Sequence, residues 1–150
     1  QGSRWVTGAH GIILKADLGL EEIEADAMDL LFLPGGNPGT ENLRKETGLE
    51  PLFRKHAEGG KWIAAICAAP TILGAWGMLA GRRATCYPGM EKALGPTAIR
   101  SEDRVVVDGK IVTSRGMGTS LDLGLGLVRC LQSPEAATKL AAILVSQVPP

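Results

Sequence analysis

The chain has 150 residues, 45% of them hydrophobic and 21% charged, enough for one domain that buries roughly 70% of its unfolded surface and too few for two. Sixteen basic residues balance sixteen acidic ones, so the electrostatic footprint of a nucleic-acid or anionic-membrane binder is missing. The longest apolar runs, at 29–33 and 62–67, fall far short of the ~20 residues of a membrane span. Three widely spaced cysteines without a C-x-x-C pattern, Cys67, Cys86 and Cys130, write neither a disulfide framework nor a structural zinc site, which points to a reducing, cytoplasmic setting. No signal peptide is visible, and the opening Gln1-Gly2-Ser3-Arg4-Trp5 reads as the middle of a fold.

Strand-like and helix-like segments alternate along the whole length, the mark of an α/β domain with a mainly parallel sheet. In chain order, a short strand is expected over 11–15 and an acidic turn or brief helix over 19–27. Leu30 to Leu33 forms an apolar run stopped by Pro34-Gly35-Gly36, which predicts a strand buried on both faces. A loop containing Asn37-Pro38-Gly39 follows. Residues 50–58 read as an amphipathic helix with Leu52 and Phe53 inward, His56 on the polar side, and Gly59-Gly60 as the stop. Trp62 to Ile66 is a second buried strand, and a helix begins at about Ala69, with Pro70 in its first turn. A strand over 84–87 is expected next. Val105-Val106-Val107 and Ile111-Val112-Thr113 flank Asp108-Gly109, a strong hairpin signal. A long helix over 118–131, with Leu121, Leu125 and Val128 on its apolar face, and a last helix over 134–145 complete the pattern.

Three strand-to-helix turns can line one crevice at the carboxyl edge of such a sheet, where ligands bind in open α/β folds. Cys67 lies in Ala65-Ile66-Cys67-Ala68-Ala69, the cysteine form of a nucleophile elbow, in which small neighbours permit a sharp turn. The following helix start would favour thiolate over thiol and offer N–H groups to an oxyanion. The pentapeptide is equally compatible with a small apolar filler. Pro34-Gly35-Gly36 places consecutive glycines at a second strand end, where bare backbone amides can approach a ligand; a plain tight turn is the alternative. Ser114-Arg115-Gly116-Met117-Gly118-Thr119-Ser120 forms the third turn, with Thr119 or Ser120 as helix caps or substrate contacts. Cys86 and Cys130 read as packing residues, and Gly124-x-Gly126 as close packing inside a helix.

The segments 33–37, 63–70 and 113–120 resemble, in order and spacing, the ThiJ/PfpI superfamily, and within it the branch of the Parkinson-disease protein deglycase and its bacterial YajL-type relatives. The resemblance covers essentially the whole chain as a single domain, 1–150. It implies a flavodoxin-like three-layer sandwich and a homodimer. Cys67 becomes the nucleophile, and the amides of Gly36 and Ala68, beside Gly35, become oxyanion donors; His10 and Gly116 are further contacts for a bound substrate. Two departures stand against the pattern. Relatives of this branch carry a strand, a helix and a second strand before the position of Gln1, with a glutamate that meets the cysteine sulfur, so a companion N-terminal polypeptide completing the fold is expected. A histidine pair for the thiol is also lacking, since Ala68 follows the cysteine and 95–101 contains no histidine.

The function implied is a glutathione-independent glyoxalase III/deglycase type of activity on methylglyoxal and related small α-oxoaldehydes, through a thiohemiacetal, without cofactor or metal. The alternative from another class is a redox-sensing or stress-chaperone protein whose Cys67 is oxidised without turnover.

Overall fold

The computed structural model describes residues 4–147. Two three-residue strands come first, β1 (Trp5–Thr7) and β2 (Ile13–Lys15), paired antiparallel and exposed along their whole length. Two 3-10 turns, Leu20–Glu22 and Ala25–Ala27, occupy the acidic segment and lead into β3 (Leu30–Leu33). Helices α1 (Gly39–Lys45) and α2 (Leu49–Glu58) return the chain to β4 (Trp62–Ile66), which feeds α3 (Pro70–Ala75). The short strands β5 (Arg83–Ala84) and β6 (Ile99–Arg100) are followed by the hairpin β7 (Val105–Asp108) and β8 (Ile111–Ser114). Helices α4 (Ser120–Leu131) and α5 (Pro134–Ile143) close the described chain.

The central sheet has the order β3-β4-β8-β7, parallel except for the β7–β8 hairpin. Helices pack on both of its faces. On one side Leu31, Leu33, Ile63 and Ala65 meet Phe53 of α2 and Ile72 and Leu73 of α3; on the other Ala64, Ile66 and Val112 meet Leu123 of α4. This is the α/β layering that the alternating pattern predicts, in the flavodoxin-like form that the resemblance implies. Both β3–β4 and β4–β8 run parallel, so their carboxyl ends, followed by residues 34–36, 67–69 and 115–119, fall on one edge of the sheet.

Several expectations need correction. Strand β3 is fully buried on one face only: Leu31 and Leu33 are inside and Leu30 packs against the α4-side cluster, but Phe32 is 45% exposed at what is, among the described residues, the last strand on its side of the sheet. The stretch read as a loop after Asn37 contains α1. The strand expected over 84–87 ends at Ala84, and Cys86 packs without joining a ladder. On α4 the buried face runs through Leu123, Leu125 and Gly126, while Leu121 is 46% exposed. Gly126 lies against Val105, and Gly124 faces open space.

His56 is also placed differently from its reading as a solvated residue. Its ring is buried, with Nδ1 3.1 Å from the Ala25 carbonyl oxygen and Nε2 3.0 Å from that of Trp62. The two contacts tie α2 to the 3-10 turn before β3 and to the start of β4. Helical periodicity places His56 three residues after Phe53, on the same buried stripe.

Candidate active site

At the end of β4 the backbone turns at Cys67 with φ +63°, a left-handed conformation for a residue with a side chain. Such a conformation costs on the order of 1–3 kcal/mol and persists only where the surroundings over-determine it. Here they do. The Cys67 N–H donates to the Ser114 carbonyl at 2.9 Å, and the Cys67 carbonyl accepts from the Tyr87 N–H at 2.8 Å. Ala69 N–H closes the turn onto the Ile66 carbonyl at 3.1 Å. The thiol itself is half-buried.

The small residues around this turn are there because nothing larger fits. A Cβ on Gly35 would stand 2.6 Å from the Cys67 Cβ and 2.6 Å from the Ile66 carbonyl oxygen, both well inside van der Waals contact. Ala65, Ala68 and Ala69 are all buried. Gly36 takes φ +92°, which favours glycine for a different reason, since its surroundings are open.

Among the described residues, neither the Gly36 N–H nor the Ala68 N–H donates to a protein acceptor. Both residues border one cavity of about 360 Å³, together with Cys67, Asn37, Tyr87 and the segment 88–90. The backbone around both is pinned from behind. Thr40 donates to the Gly36 carbonyl through its N–H at 2.8 Å and its hydroxyl at 2.9 Å. Thr71 donates through its hydroxyl to the Ala68 carbonyl at 2.7 Å, and Arg44 Nη2 donates to that hydroxyl at 2.8 Å. The two free amides are thus held in place before any ligand arrives, which is the requirement for preorganised stabilisation of an oxyanion.

Of the residues expected at the site, Cys67, Gly35, Gly36 and Ala68 come together. Gly116 is not among the residues bordering the cavity; it lies behind Tyr87, whose ring a Cβ at this position would approach to 3.6 Å. His10 does not join them. It occupies the exposed turn between β1 and β2 and does not line the cavity. Thr119 holds its own loop, its hydroxyl 2.6 Å from Ser114 Oγ and accepting from the Gly116 N–H at 3.0 Å. Met117 is 90% exposed and does not cover the pocket.

Sequence reasoning missed Asn37 and Tyr87, the two polar side chains that border the cavity beside the thiol. Tyr87 is the only tyrosine in the chain, and the Pro88-Gly89 after it was the available sign of a chain reversal beside a site. Cys86, next to it, is a different kind of thiol: burial, with a smaller contribution from the Glu91 carboxylate, pushes it up to about 11. A larger cavity, about 840 Å³, lies at β7 and shares no residue with this one. Its walls hold Cys130, whose thiol burial also pushes up.

The fold is α/β, and a positive-φ cysteine stands between a parallel strand and a helix. The chain belongs to the DJ-1/PfpI family, whose model matches residues 1–130. It is 42% identical over 146 residues to Protein DJ-1 homolog B of Arabidopsis thaliana, covering 97% of this chain and 33% of that protein. The chain therefore spans about a third of the length of this plant relative. A glutathione-independent glyoxalase of Caenorhabditis elegans, DJR-1.2, is 31% identical over 133 residues, 88% of this chain and 70% of that protein. Deglycase PYRAB04690 of Pyrococcus abyssi is 40% identical over 114 residues, 75% and 68% of the two chains. Among solved structures, the oxidized DJ-1 of Toxoplasma gondii superposes with a TM-score of 0.89 at 36% identity, over 97% of this chain and 79% of that one.

Proposed function

We propose that residues 1–150 form one catalytic domain of a glutathione-independent glyoxalase or deglycase, acting on methylglyoxal and related small α-oxoaldehydes with Cys67 as nucleophile. The observation that carries this reading is the pairing of a positive-φ cysteine with two unengaged amides, those of Gly36 and Ala68, on one small cavity. The names of the Caenorhabditis and Pyrococcus relatives point the same way.

In this mechanism the Cys67 thiolate adds to the aldehyde carbon, and the new alkoxide of the thiohemiacetal takes hydrogen bonds from the Gly36 and Ala68 N–H groups. The hydrogen on that carbon leaves as a proton, and one is returned to the neighbouring carbon through an enediol. A thioester results; water hydrolyses it to the 2-hydroxy acid and frees the thiol. In this reading Asn37 and Tyr87, which border the same cavity, hold the second carbonyl oxygen. The proton carrier in this reading is a carboxylate that the family resemblance places on a strand-helix-strand unit outside residues 1–150; the edge of β3, unpaired among the described residues, and the exposed Phe32 support such a neighbour. The active form is a homodimer in the cytoplasm.

The experiment is methylglyoxal consumption against lactate formation without glutathione, for the protein and for its Cys67→Ala variant. Equal molar conversion that Cys67→Ala abolishes supports the proposal. Oxidation of Cys67 to sulfinic acid by peroxide, with no aldehyde turnover, would replace it with the redox-sensor reading.

A further inference from the structure

The two unengaged amides belong to different loops, one after β3 and one after β4, and a single short helix reaches both. In its first turn α1 bonds the Gly36 carbonyl through Thr40, which is fully buried. Arg44 stands four residues further on, on the same face of the helix, and its Nη2 donates to the Thr71 hydroxyl of α3 at 2.8 Å. Its Nε lies 3.5 Å from Glu41 Oε1, one turn back, and the side chain is 32% exposed. The guanidinium thus spans from a carboxylate of its own helix to the helix that follows Cys67, without bordering the cavity.

Ala68 is held at both of its peptide planes. The incoming plane carries the Ala68 N–H, and the Tyr87 N–H fixes it by donating to the Cys67 carbonyl at 2.8 Å. The outgoing plane carries the Ala68 carbonyl, which accepts from the Thr71 N–H at 3.1 Å and from the Thr71 hydroxyl at 2.7 Å. A hydroxyl has one proton and two lone pairs, and it rotates to suit its partners, whereas arginine only donates. The Arg44 N–H therefore occupies a lone pair of the Thr71 oxygen and leaves its proton directed at the Ala68 carbonyl. Thr71 is fully buried, so this direction is set inside the protein.

We propose that Arg44 is a positioning residue for the oxyanion pocket: acting through Thr71, it fixes the outgoing peptide of Ala68 so that the Ala68 N–H keeps its aim, while Thr40 of the same helix does this for Gly36. The inference rests on the reading of Cys67 as nucleophile and of the two amides as oxyanion donors. A donor already in place needs no reorganisation as charge develops on the alkoxide, and one that must swing into place loses part of its worth. Loss of Arg44 is therefore felt in the transition state and little in substrate binding.

The test is methylglyoxal kinetics of the protein, Arg44→Met, Arg44→Lys, Thr71→Val and the double variant Arg44→Met/Thr71→Val. Arg44→Met should lower kcat about fivefold with KM within about twofold, and Arg44→Lys, which keeps a donor for the hydroxyl, should recover most of the loss. Because Arg44 acts through Thr71, the double variant should match Thr71→Val rather than multiply the two losses. An unchanged kcat, a rise in KM alone, multiplied losses, or a lysine variant no better than methionine would overturn the proposal. Backbone 15N relaxation gives a second readout that needs no turnover. The Ala68 amide should gain motion in Arg44→Met, while the Gly36 amide, still held by Thr40, should not; an unchanged Ala68 amide, or equal loosening of both, would overturn the proposal. Absence of turnover in the parent protein would contradict the proposed chemistry and not this relay, which the relaxation measurement then decides.

Discussion

Cys67 and Cys86 are one backbone hydrogen bond apart, the Tyr87 N–H donating to the Cys67 carbonyl, yet they sit in opposite surroundings. Cys67 is lifted into a cavity by a left-handed backbone turn, half-exposed and beside two unengaged amides. Cys86 is 1% exposed in the α3-side core, and its thiol is pushed up to about 11 by burial. Residue type is the same, and the flanking residues differ, Ile66 and Ala68 around one thiol and Thr85 and Tyr87 around the other. What separates the two thiols in exposure is the backbone: φ at Cys67 and the close approach of Gly35 turn that residue toward the cavity, and on the proposed reading this is what makes it the reactive one.

The largest expected effect comes from breaking that backbone. Gly35→Ala puts a methyl group 2.6 Å from the Cys67 Cβ and the Ile66 carbonyl; the turn must shift. We expect Cys67 alkylation to slow by at least tenfold, at a stability cost of about 1–3 kcal/mol, read from alkylation kinetics and denaturant unfolding. Gly36→Ala meets open space and strains only φ, so it should cost less on both readouts.

Next in size is Thr71→Val. It removes the hydroxyl that anchors the Ala68 carbonyl and leaves Arg44 without that partner. A loss of about 1–2 kcal/mol in urea unfolding is expected, with slower Cys67 alkylation and no change at Cys86.

The third prediction concerns pH. A thiol whose value is raised in the folded state, as at Cys86, contributes stability that is fully present below the ordinary value of 9.0 and is lost as pH rises to about 11. Melting temperature should fall across that window in the parent chain and fall less in Cys86→Ala. Smallest is Glu91, held below the usual carboxylate range by hydrogen bonds from its own backbone N–H and that of Gly89. This contribution is present above 4.5 and lost as pH falls through the lowered value. Glu91→Gln should slightly loosen the cavity segment 88–90, seen as faster amide exchange there at neutral pH.

Much of the frame was legible in the sequence because it rests on local signals. Trp62 to Ile66 is a continuous apolar run with small residues after it, and the structure gives β4 those same limits. Asp108-Gly109 placed the β7–β8 hairpin, with Gly109 at φ +59°. The losses are of another kind. Phe32 was assigned to a covered strand because periodicity reports how apolar a segment is, not whether a neighbour arrives to cover it. His56 looked polar because its partners are the carbonyls of Ala25 and Trp62, 31 and 6 residues away in the chain. Tyr87 reaches the cavity through long-range packing that no spacing rule encodes, whereas Asn37 simply follows Gly36 in the same turn. His10 was placed near the site by resemblance alone, whereas the β1–β2 turn carries it away. The same distinction explains the site: Cys67, Gly36 and Ala68 are readable from two short turns, and the Thr40, Thr71 and Arg44 bonds that pin them are not.

The most direct test of the central claim, that backbone geometry makes Cys67 the reactive thiol, is limiting iodoacetamide treatment of the native chain at mildly acidic pH, followed by intact mass and peptide mapping. The account predicts one adduct per chain, at Cys67, with Cys86 and Cys130 unmodified until the protein is denatured. Adducts spread over the three cysteines, or appearing first at Cys130 in the cavity at β7, would contradict it.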